Sequence, residues 1–161
     1  MKNIFYLSII LIAACNAAPQ KKTVVALPTI FNGITITPLG LTCNDAQLQN
    51  TLGKIVKTND TLTTNTNYNF KLFMTGYTPI NGMVNLQGTL TITNALTNQV
   101  CFTNNNYFTN AQISNGDARY ISMPFNLNTK LLKPTKLKCI ATLIEVNTGA
   151  KIQAAFEVVG R

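Results

Sequence analysis

The chain contains no histidine and no tryptophan. A missing imidazole removes the usual general base and the commonest nitrogen ligand for metals, so a Ser-His or Cys-His nucleophilic site is excluded. Acid is scarce as well. Asp45, Asp60, Asp117, Glu145 and Glu157 are scattered, without the spacing of a glycosidase pair, and Glu145 and Glu157 fit solvent-facing strand positions. No Cys-x-x-Cys, phosphate-cradling glycine loop or dinucleotide fingerprint occurs. These absences point away from an enzyme, and no cofactor or metal is expected. Arginine is limited to Arg119 and Arg161, and the lysines are not interleaved with stacking aromatics, which argues against nucleic acid as a partner.

Charged residues make up 11% of the chain against 46% hydrophobic, with Asn and Thr filling the polar positions, so a packed core is expected rather than disorder. The 13 Lys and Arg against 5 Asp and Glu give a net charge of +8, which favours anionic partners such as lipid headgroups. The one long apolar run, Ile4 to Ala14, is shorter than the roughly 20 residues of a spanning helix. With Lys2 before it and small residues ahead of Pro19, it reads as an export signal over residues 1–18, leaving 19–161 as a single secreted or extracellular domain. Two processing routes stay open: cleavage after Ala17 or Ala18, or lipidation of Cys15, since Ile12-Ala13-Ala14-Cys15 resembles the lipobox of bacterial envelope lipoproteins. Of the remaining cysteines, any two of Cys43, Cys101 and Cys139 could form one disulfide, worth about 2–4 kcal/mol. The sequon Asn59-Asp60-Thr61 would carry a glycan only in a eukaryotic host.

Period-two alternation dominates the rest. It is clearest at the end of the chain, where Leu137, Cys139, Ala141 and Leu143, then Ile152, Ala154, Phe156 and Val158, form the inward sides of a hairpin turning at Asn147-Thr148-Gly149. The adjoining Leu143 and Ile144 suggest either cover on both faces or a bulge. Upstream, Ile34 and Ile36 mark a strand, Pro38 to Asp45 a turn region, and Ala46 to Lys57 either a short helix or a strand from Gly53. Thr58 to Asn67 reads as a loop. Tyr68, Phe70, Leu72 and Met74 form a strand stripe, as do Val84, Leu86, Leu90 and Ile92, with Gly88 as a bulge or close approach. Val100 to Thr103 is a short strand, Asn104 to Asn106 opens a loop, and Pro124 separates two strands. Eight or nine short strands in this order predict an all-β, immunoglobulin-like antiparallel sandwich.

Three groups of residues are candidates for binding. Lys130, Lys133, Lys136 and Lys138 gather at the entry to the hairpin and could meet an anionic headgroup or membrane surface; equally, they could protect a sheet edge. Tyr107 and Phe108, with Phe102, could line a pocket or anchor a loop. The stripe Tyr68, Phe70 and Leu72, with Phe156, is either sandwich core or the lining of an apolar cavity.

At Phe125 to Leu127, Leu132-Lys133-Pro134, Lys136 to Glu145, the Asn147-Thr148-Gly149 turn and Lys151 to Val159, the sequence resembles the end of the MD-2-related lipid-recognition family. That resemblance implies an exported sandwich holding a lipid or other apolar small molecule between its sheets, without chemistry. The other expectation is a bacterial envelope lipoprotein or secreted adhesin-like interaction protein with no small ligand.

Overall fold

The computed structural model describes residues 27–57, 60–108, 111–128, 131 and 133–161. The signal-like segment, Cys15, Asn59 and Lys130 lie outside the described residues. The described chain forms β1 (Thr29–Phe31), β2 (Ile34–Leu39), β3 (Thr42–Asn50), β4 (Thr61–Leu62), β5 (Asn67–Thr75) and β6 (Met83–Asn94). It continues through β7 (Val100–Tyr107), β8 (Gln112–Ser114), a single 3-10 turn (Asp117–Arg119), β9 (Tyr120–Asn126), β10 (Thr135–Glu145) and β11 (Lys151–Gly160). Two sheets result: a large one ordered β1-β2-β11-β10-β6-β7 and a small one ordered β3-β5-β9. The fold is therefore an all-β sandwich, antiparallel except where β4 runs parallel to the end of β11.

The β10–β11 hairpin lies inside the large sheet, and its register runs without a shift from Thr135 opposite Gly160 to Ile144 opposite Lys151. No bulge interrupts Leu143-Ile144: Leu143 points into the core and Ile144 lies half-buried on the outer face. The alternation then carries Glu145 inward, where it is 0% exposed, so its expected solvent-facing position is wrong; Glu157, on the outward phase of β11, is exposed. Between the layers Phe70 stacks on Phe156 with ring centroids 5.3 Å apart, and Tyr68 on Phe125 at 5.7 Å. Side chains also tie the two layers together at both edges. The Asn32 amide donates to the Ala46 carbonyl at 2.9 Å, and the Tyr107 hydroxyl donates to the Pro124 carbonyl.

Several local expectations need correction. Ala46 to Asn50 is strand rather than helix, because Ala46 and Leu48 are buried at period two on β3 while Leu52 is 89% exposed. Gly53 to Lys57 is no strand; only Ile55 makes a bridge, to Gln49. Asn44-Asp45 is absorbed as a bulge in β3, and Pro38 lies within β2, opposite Ile152 and beyond the reach of β1. A hairpin turn occurs earlier instead, at Asn32-Gly33, where both φ angles are positive. Asn104 to Asn106 extends β7 rather than opening a loop, and β9 passes through Pro124 because it is an edge strand, where a missing N–H is harmless. β4, falling within the expected Thr58 to Asn67 loop, and β8 were not expected. No disulfide joins Cys43, Cys101 and Cys139. Cys101 and Cys139 lie on strands with β6 between them, about 10 Å apart, and Cys43 belongs to the other sheet; a bridge needs Cα atoms within about 7 Å.

Gly88 behaves as its position predicted. The register between β6 and β7 shifts just after it, and a Cβ there would meet the Tyr107 Cβ at 3.0 Å and the Phe108 ring at 3.2 Å.

Candidate functional site

β10 pairs with β11 along its whole length, so the opposite edge of β11 is where the large sheet can be incomplete. On that edge β2 covers Lys151 to Ala155 and β4 covers Val159 and Gly160. Among the described residues no strand covers Phe156 to Val158 from this side. The gap is the floor of a groove of about 690 Å³. Gly33 and Thr35 border it from β2 and the turn before it, and Ala155 and Val159 from the outward phase of β11. Small side chains at Gly33, Thr35 and Ala155 keep it open.

Lys136 and Lys138 line the same groove from the outward phase of β10. Lys138 lies opposite Glu157 in the register, yet Glu157 makes its ion pair with Lys136. Among the described residues this is the ion pair of the face, so one acid serves two lysines and the groove carries a positive surplus. Lys133 is exposed just before β10 but outside the lining, and Lys130 is outside the described residues.

The aromatic candidates lie elsewhere. Tyr68, Phe70, Leu72 and Phe156 are buried between the sheets, with Tyr107 beside them and Phe102 and Phe108 half-buried against them. Phe102 tilts onto Phe125 at 5.8 Å and Tyr107 onto Phe108 at 6.1 Å. Burial holds the Tyr107 phenol above its ordinary pKa. The lysine pair lies on the outer face and the aromatic set in the interior; of these aromatics Phe156 alone also borders the groove.

Sequence reasoning missed the small residues of the groove, since nothing local marks Thr35 or Ala155 as neighbours until β2 and β11 pair. It also missed a buried polar group at the other end of the sandwich. The Glu145 carboxylate accepts the Thr78 N–H at 2.8 Å and the Thr148 hydroxyl at 2.6 Å. The Tyr77 phenol lies near it, its pKa raised by burial and then by the Glu145 charge. Burial also raises the Cys43 thiol to about 11, which leaves it protonated and unreactive at neutral pH. Among the described residues no three His, Cys, Asp or Glu side chains gather as a metal site, and no helix is long and apolar enough to cross a membrane.

The architecture defines a β-sandwich with a basic groove in one sheet edge. No protein-family model matches the chain, and a search of curated proteins returns no match.

Proposed function

We propose that this chain is an exported, non-enzymatic binding protein that takes an anionic partner in the edge groove of its large sheet. The observation carrying this reading is the stretch Phe156 to Val158, uncovered among the described residues and lying beside Lys136 and Lys138. The break in strand pairing leaves room beside β11 for a ligand, and the two lysines supply charge-assisted contacts. The stacked rings of Phe70 and Phe156 support a scaffold role for the interior. Ligand recognition on an outer face needs no parting of the sheets, whereas an apolar ligand between them would have to displace those rings.

Glycerol 3-phosphate is a suitable soluble probe of the groove. Amide resonances of Thr35, Lys138, Ala155 and Glu157 are expected to move on titration, and Lys138→Gln should weaken the response several-fold. Shifts confined to other surfaces would overturn the assignment. So would an organic-extractable ligand that co-purifies with the native chain and whose removal perturbs Phe70 and Leu72, which do not border the groove.

A further inference from the structure

The strand registers bring one set of loops to a common end of the sandwich. β6 finishes at Asn94 beside the start of β10, where the Ala95 N–H donates to the Lys136 carbonyl at 2.9 Å. β11 finishes there too, and the Arg161 N–H donates to the Leu62 carbonyl. On the small sheet Asn50 ends β3 opposite Tyr68 near the start of β5, and the stacking of Tyr68 on Phe125, with Phe125 against Phe102, places this at the same end. Two turns project from it. One presents Leu96, 85% exposed, with Val100 beside it; the other presents Leu52, 89% exposed.

The charges are unevenly divided. At or beside this end lie Lys54, Lys57, Lys133, Lys136, Lys138 and Arg161, opposed by Asp60 and Glu157. Over the rest of the described chain Lys71, Arg119 and Lys151 are balanced by Asp45, Asp117 and Glu145. The opposite end also exposes apolar side chains, Leu27, Ile80 and Val146, but Lys151 is the cation near them and Glu145 and Asp45 offset the charge there. A leucine held out in water on a turn gains free energy only if something apolar receives it, and cations around it select a receiver with negative charge at its surface.

We infer that this end of the sandwich docks on an anionic lipid surface, with Leu52 and Leu96 entering the headgroup region and the surrounding lysines meeting lipid phosphates. The inference rests on the groove reading for Lys136 and Lys138; its apolar half does not.

The test is binding of the full chain to vesicles of phosphatidylcholine alone and of phosphatidylcholine with phosphatidylglycerol. Wild-type chain should bind the anionic vesicles only. Leu52→Ser with Leu96→Ser should weaken that binding by at least about tenfold, from the lost side-chain transfer. Ile80→Ser with Val146→Ser, at the other end, should leave it unchanged. Because the chain has no tryptophan, Leu96→Trp provides a single reporter whose emission should shift to the blue on anionic vesicles. Equal binding by the leucine variant, equal loss in the Ile80 and Val146 variant, or no blue shift would overturn membrane docking. Glycerol 3-phosphate binding in the groove, measured on the same leucine variant, separates the two readings: it should persist if only the membrane inference fails, and be absent if the groove assignment fails.

Discussion

The two ends of the sandwich solve opposite problems with the same kind of side chain. At one end a carboxylate, Glu145, is enclosed completely and tied to Thr78 and Thr148, so it joins the loop after β5 to the turn after β10. At the other end Glu157 remains on the surface as the counter-ion of Lys136, with Lys138 close by. Both belong to one hairpin, at strand positions of opposite phase. A buried acid is costly unless its hydrogen bonds are satisfied, and then it locks its surroundings; an exposed acid contributes little to stability but sets the local charge. An enclosed acid and an exposed, charge-setting acid are thus allotted to different ends.

The largest effect should come from breaking the enclosed end. Glu145→Ala leaves the Thr78 N–H and Thr148 hydroxyl without their acceptor, and should cost about 3 kcal/mol in urea unfolding. Tyr77→Phe, near the same carboxylate in space, should change stability by no more than about 1 kcal/mol, because the Tyr77 hydroxyl has no hydrogen-bond partner among the described groups. A loss there comparable to that of Glu145→Ala would show that the locking belongs to the cluster rather than to the carboxylate.

Alkaline pH sharpens the comparison more gently. Burial raises the Cys43 thiol from 9.0 to about 11 and raises Cys139 further, so between pH 9 and 11 the unfolded chain loses protons that the folded chain keeps. Stability should therefore fall as pH rises above 9. Cys139→Ala should flatten that decline relative to wild type, and parallel curves would refute the assignment. At the basic end Lys136→Gln should alter stability by less than about 1 kcal/mol, the usual worth of an exposed ion pair. An effect as large as that of Glu145→Ala would erase the contrast between the ends.

The strands with one wet face were legible because their periodicity is a direct image of burial. Tyr68 to Met74 and the closing hairpin alternate as read. Edge strands were legible only in part. β3 carries polar residues at most positions, and β7 runs through three asparagines, because an edge strand needs only one anchored face and takes its hydrogen bonds from a single neighbour. The candidate lysines were visible as a run, but their groove was not, since its borders come from β2, β10 and β11. Glu145 was misplaced for a related reason: polarity suggested the surface, while strand phase and the returning loop at Thr78 decided burial.

The amino-acid sequence by itself determined an all-β chain with an apolar interior, without histidine and poor in acid, and a basic closing hairpin. Each follows from composition or from period-two spacing, which are local. Only the tertiary structure decided which edge of β11 stays open, which acid is enclosed, and which loops share an end with the lysines. Those depend on pairings between residues far apart in the chain, whose geometry is set when the two sheets close over a common core.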